Sequence, residues 1–321
     1  MSLDKAARII LSKCLGVTQN ETLFIMADAD HLEFGKILQI ESQKLKVQSA
    51  FLDISLNGFH NAEFSPFLVN LASQANGVLL LTGEPVLNSL ASLNLAAIKT
   101  RFISLVDVKE QTLRCIIKTR YRKVKSLSQK IADILTIGKK LTLTSETGSN
   151  MQLCLTNVKG YSNTGMAVYP GQITTLPAGE AYCTPIAEKC EGTLIVDGAI
   201  DCIEKLSKPI ELKISKGLIK RILGNGEVEI LRKRFKAKGT KTRQIVGFGI
   251  GTNEVARFGI SMDESKKVLG TAHFSFGKVE ACNHAGNGNT RIDMVITKPT
   301  VVIDGKEIIH DGVIMIDTPS N

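Results

Sequence analysis

Tryptophan is absent from the 321 residues, and aromatic side chains make up only 5% of them. Proteins that read unpaired bases stack them on aromatic rings, so nucleic acid is not an expected partner. No apolar run reaches the length that spans a bilayer. The opening MSLDKAARIILSKCLGV is charged too early, and apolar too briefly, for a secretory signal. A CxxC pair is also missing. The seven cysteines (Cys14, Cys115, Cys154, Cys183, Cys190, Cys202 and Cys282) are odd in number and scattered. That pattern suits reduced thiols rather than a disulfide framework. The first half has no glycine-rich phosphate loop after a strand, and its loop ADADHLEFG is acidic, which excludes the common nucleotide-binding signatures. The expectation is a soluble cytoplasmic protein with no membrane partner.

What is present is an ordinary globular composition, 43% hydrophobic and 22% charged. The length suits two domains, expected at residues 1–125 and 126–321. In the first, DKAARIILSKCL, HLEFGKILQIESQKLK, PFLVNLASQA and SLASLNLAAIKT have helical spacing. Between them lie the strand-like runs ETLFIMADAD, VQSAFLDI, NGVLLLTG and RFISLVD. Strands alternating with helices predict a mostly parallel α/β sheet covered on both faces. A long basic helix over 112–136 is expected to join the halves. Beyond it, short alternating runs with NG, KG and DG turn signals predict a β-rich α+β domain. These include IELKIS, the stretch through GEVEIL, and VVIDGKEIIHDG.

The net charge is +9, concentrated in runs 118–125 (KTRYRKVK) and 232–243 (RKRFKAKGTKTR). Such runs are ordinarily solvated faces, and the second reads as a mobile loop able to attract anions.

Four stretches of the second half place polar groups where strands meet loops. They are LPAGEAYCTP with Glu180, VGFGIGTNEVARFG with Glu254 after three alternate glycines, GTAHFSFG with His273, and TRIDMVI with Asp293. Side chains alternate across a strand. Thr271, His273 and Ser275 therefore share one face, and Arg291 and Asp293 share another. If the two strands are neighbours, His273 meets Asp293. Imidazole with carboxylates suits zinc, manganese, cobalt or iron, and such an ion activates water. The plainer readings are a structural histidine at 273, a turn or helix cap at Glu180 and Glu254, and an Asp293–Arg291 pair. His31 reads as a helix-start residue, His310 as exposed, and Cys183 and Cys190 as core thiols.

In order and texture, LPAGEAYCTPIAEKCEGTLIVDGAI, GFGIGTNEVARFG, DESKKVLGTAHFSFG and RIDMVI with VVIDGKEIIHDG resemble the thermophilic metallo-aminopeptidases (aminopeptidase T and its relatives, peptidase family M29). The resemblance covers residues 120–321. It implies a two-domain hydrolase with a metal pair, a peptide or small-molecule substrate, and a homodimer. Glu180, Glu254, His273 and Asp293 fall on metal-ligand positions. Glu280 stands where the family has tyrosine, and Arg291 where it has the histidine of His-x-Asp. Arginine has donors only and cannot ligate. Three readings follow. The first is a hydrolase with a rearranged site, in which His284 or Glu280 supplies a ligand, Glu180 is a candidate base, and Arg291 meets a substrate carboxylate. The second is an iron-dependent ring-cleaving dioxygenase of the same superfamily, with His273, His284 and Asp293 as its triad. The third is a binding protein whose lost metal is replaced by Arg291.

Overall fold

The computed structural model describes residues 3–55, 66–83, 99–201, 203, 206–277 and 291–316. The expected helix in SLASLNLAAIKT lies outside them, apart from its last two residues, as do Glu280 and His284. The chain forms two compact units. One contains the residues up to Tyr121 and Gly165–Ala178; the other contains Arg122–Thr164 and most of the chain beyond Gly179.

In the first unit, β1 (Thr22–Ala27), β2 (Gln48–Asp53), β3 (Gly77–Thr82) and β4 (Arg101–Val106) pair in parallel in the order β2-β1-β3-β4. Ile173–Leu176 closes the far edge by pairing with β4. Every residue of β3 and β4 is buried, as expected of apolar runs covered on both faces. Helices α1 (Leu3–Ile9), α2 (Leu32–Lys44), α3 (Pro66–Ser73) and α4 (Glu110–Lys118) accompany the sheet, and α1 packs on α2 and α4. His31 does more than begin a helix. It is buried, with Nδ1 2.5 Å from Asp28 Oδ1 and Nε2 accepting from the Val108 amide at 3.1 Å. Asp28 Oδ2 accepts from the Gly83 amide at 2.6 Å, so this pair ties together the loops after β1, β3 and β4.

The joining helix is broken in two. The chain leaves α4 at Thr119, which is extended (φ −59°, ψ 129°), and starts α5 (Tyr121–Ile137). Thr119 caps the break by donating its hydroxyl and its amide to the Cys115 carbonyl. On α5, Leu127, Ile131, Ala132 and Leu135 form one apolar stripe in the core of the second unit.

That unit is built on a large sheet. Its strands are β5 (Lys140–Thr144), β6 (Asn150–Cys154), β7 (Gly160–Asn163), β9 (Glu180–Cys183), β10 (Glu191–Val196), β11 (Ile210–Ser215), β12 (Leu218–Leu223), β13 (Gln244–Gly251), β14 (Ala272–Gly277), β15 (Ile292–Ile296), β16 (Thr300–Ile303), β17 (Lys306–His310) and β18 (Val313–Ile314); the intervening β8 is Ile173–Leu176 of the first sheet. The pairs in this sheet are antiparallel. The KG and DG signals become hairpin turns, with positive φ at Lys216, Gly217, Asp304 and Gly305. The NG signal does not. It leads into α6 (Val228–Lys238), so VEIL is helical and the basic run 232–243 is largely the end of a helix and a 3-10 turn rather than a loop. Val228, Leu231 and Phe235 bury one stripe of α6, and that helical spacing overrides the β character of its first residues. NEVARFG forms turns, not a helix. Among the described residues no helix is long and apolar enough to cross a membrane.

Candidate functional site

Four strands of the second unit share one polar face. Residues directly opposite in an antiparallel pair point to the same side. Gly251 pairs with Glu180, Gly249 with both Tyr182 and His273, Gly247 with Ser275, and Ser275 with Asp293. The other side of these strands carries Ala181, Cys183, Phe248, Ile250, Phe274, Phe276, Ile292 and Met294, all in the core. The alternation expected for GTAHFSFG and TRIDMVI is therefore realised, and the two strands are neighbours.

The alternate glycines explain how polar groups fit on a buried face. A Cβ at Gly249 would lie 2.4 Å from Cε1 and Nε2 of His273, and one at Gly247 would lie 3.0 Å from Ser275 Oγ. At Gly251 it would meet the Val268 carbonyl at 2.0 Å and Thr271 Oγ1 at 2.7 Å. The imidazole thus lies across a strand that has no side chain beneath it.

A short helix, α7 (Met262–Ser265), delivers two further residues to this face. Ser261 caps it, its hydroxyl accepting from the Glu264 amide at 3.1 Å. Lys266 and Lys267 follow at once, and both are buried. Lys267 Nζ donates to Glu180 Oε1 at 2.5 Å, and His273 Nε2 faces Glu180 Oε2 at 3.3 Å. Lys266 Nζ donates to Asp293 Oδ2 at 2.6 Å and lies 3.1 Å from Asp263 Oδ1. Asp293 Oδ1 accepts from Ser275 Oγ at 2.5 Å and from Arg291 Nε at 2.6 Å. Asp201 and Asp293 also bond through their backbones and the Asp201 carboxylate.

The electrostatics follow from burial and these pairs. Burial alone would raise Glu180, but Lys267, His273 and Lys266 outweigh it and hold the carboxyl at about 2. Asp293 is likewise buried, yet Arg291 and Lys266 keep it well below the usual carboxylate range. Burial pushes His273 down to about 4, against the pull of Glu180, so the ring is neutral at pH 7. Nε2 is the ring nitrogen that faces Glu180, and Nδ1 is buried with no hydrogen-bond partner among the described residues.

Of the candidate ligands, Glu180, His273 and Asp293 come together on this face. Glu254 turns to α5, where Lys123 Nζ lies 2.6 Å from Oε2. Arg291 sits on Asp293 and is two-fifths exposed. These residues do not fit a divalent ion as they stand. Both oxygens of Glu180 and of Asp293 are engaged by cationic or neutral donors, and ammonium groups occupy the space beside them. A dication here would face Lys266, Lys267 and Arg291 at close range. Among the described residues no group of three or more His, Cys, Asp or Glu side chains is placed to hold a metal.

The family sequence pattern described as NicX, 2,5-dihydroxypyridine 5,6-dioxygenase, matches residues 9–316. The chain belongs to this family. No curated protein matches it in sequence. In structure it is similar to the 2,5-dihydroxypyridine dioxygenase of Pseudomonas putida KT2440, at 18% identity and a TM-score of 0.82, covering 99% of each chain. It is also similar to wild-type AmpT from Thermus thermophilus, at 14% identity and a TM-score of 0.66, covering 98% of this chain and 99% of that one. The likeness to aminopeptidase T is thus one of fold, and family membership lies with the dioxygenases.

The two buried lysines are not singled out by the sequence, where lysine reads by default as solvated. Their one signal is position. In SKKVLGTAHFSFG they directly precede a run that is apolar apart from its threonine, histidine and serine.

Proposed function

We propose that this NicX-family protein binds a small, hydroxylated aromatic ligand of the 2,5-dihydroxypyridine type without cleaving its ring. One observation carries this reading: the buried carboxylates of the polar face are ion-paired to Lys266, Lys267 and Arg291 rather than disposed for a metal. Arg291, two-fifths exposed at the rim, is the cation such a ligand reaches first. Calorimetric titration with 2,5-dihydroxypyridine tests the reading. Saturable binding is expected, weakened at least tenfold in Arg291→Ala, with no oxygen uptake after addition of ferrous iron. Absence of binding overturns it.

A second reading is the iron-dependent ring-cleaving enzyme, favoured by the family match over residues 9–316. Iron-dependent oxygen consumption stoichiometric with the pyridine would establish it in place of the first. The aminopeptidase reading rests on fold likeness alone. Release of a free amino acid from a peptide under anaerobic conditions is its test.

A further inference from the structure

We infer that Asp201 and Arg291 form an acceptor and donor pair at the rim of the polar face, reading the N–H and C=O edge of a cyclic amide such as a 2-pyridone. The inference rests on the binding reading above and names the ligand edge that is recognised. 2,5-Dihydroxypyridine presents that edge itself when the proton of its 2-hydroxyl moves to the ring nitrogen.

Both residues are set on Asp293. The chain turns at Asp201, next to Ile200, which bridges Met294 of β15. The Asp201 amide donates to the Asp293 carbonyl at 3.1 Å, and Asp201 Oδ2 accepts from the Asp293 amide at 2.7 Å. Asp201 is exposed, and its Oδ1 makes no hydrogen bond among the described residues. Arg291 Nε donates to Asp293 Oδ1 at 2.6 Å, on a side chain two-fifths exposed, and the guanidinium carries further N–H donors. Arg291 also feels the charge of Asp201.

An ionised carboxylate only accepts and a guanidinium only donates. A cyclic amide offers the opposite pair side by side, an N–H beside a C=O. Holding the Asp293 amide needs only one side-chain oxygen, which serine or asparagine would supply. Aspartate adds a second negative charge beside Asp293, at a Coulombic cost. Its spare oxygen at the surface therefore has a use beyond the backbone, and the ring N–H of a pyridone fits it.

The test is calorimetric titration of the whole chain with matched ligands. Wild-type protein is expected to bind 2,5-dihydroxypyridine and 2-pyridone. It is expected to bind benzene-1,4-diol, which lacks the ring nitrogen, and N-methyl-2-pyridone, which lacks the N–H, each weaker by about tenfold or more than its partner. Asp201→Asn keeps an oxygen for the Asp293 amide but puts an NH2 group where Oδ1 stood. It is expected to unfold thermally like the wild type and to lose both preferences. Equal wild-type affinity for the members of each pair overturns the inference and leaves the binding reading standing, as does a folded Asp201→Asn that keeps the preferences. Binding of 2-pyridone but not of 2,5-dihydroxypyridine, with the N-methyl compound rejected, supports the inference and overturns the reading. Binding of neither overturns both. If Asp201→Asn does not fold, the two wild-type preferences decide.

Discussion

At the scale of single residues, the face is organised by what is missing under His273. Gly249→Ala puts a methyl group within 2.4 Å of the ring. It is expected to cost about 1–3 kcal/mol in urea unfolding, as overpacking does. Much of that cost should vanish when His273 is also shortened to serine, because the two positions are in contact. Acid is a second lever. The unfolded chain protonates an imidazole near 6.5, and folded His273 does so only near 4. Stability therefore falls as pH drops across that window, by an amount on the order of 3 kcal/mol. Glu180 extends the loss from 4.5 down to about 2. Glu264, pushed up to about 7 by burial, acts in the opposite sense between 4.5 and 7. Comparing the wild type with His273→Gln in a pH series of denaturation curves isolates the imidazole, and the stability of the wild type relative to the variant should fall as pH drops from 6.5 to 4. The meeting of His273 and Asp293 was legible in the sequence because strand alternation fixes which side chains share a face, whereas Glu180 was grouped with them only through the family resemblance. Lys266 and Lys267 were not, because nothing local distinguishes a buried lysine from a wet one; the distinction is made by acids 27 and 87 residues away in the chain.

At the scale of elements, α7 has little stability of its own, since it comprises only Met262–Ser265. Its cap matters accordingly. Ser261→Ala is expected to cost about 1 kcal/mol, and Ser261→Asp to recover most of it, as measured by thermal unfolding. Hydrogen exchange at the Lys266 and Lys267 amides should quicken in the alanine variant, because those residues leave the helix directly onto the acids. The elements that sequence pattern captured are those with one clean period: β1, β3, β14, β15 and the hairpins at Lys216–Gly217 and Asp304–Gly305. It failed at VEIL, whose β-branched residues suggest a strand. There Val228, Leu231 and Phe235 are drawn onto the core at helical spacing, so tertiary burial overrides local preference.

At the scale of the whole molecule, the order of segments along the chain differs from their order in space. The first sheet is completed by β8, which follows three strands of the second unit. A fragment ending at residue 121 should therefore leave the fully buried strand β4 with an open edge. It is expected to elute from size exclusion as oligomers or aggregate, whereas the full chain does not self-associate through that edge. The return of residues 165–178 to the first unit was not readable from the sequence, because β8 is four residues long and carries no distinctive pattern.

That detour has a consequence for synthesis. A ribosome must release nearly 180 residues before the first sheet can be finished, by which time β5, β6 and β7 have already emerged. Vectorial maturation, one unit before the next, is closed to this polypeptide, and a translational pause before β8 would present nascent β4 to whatever chain is nearby.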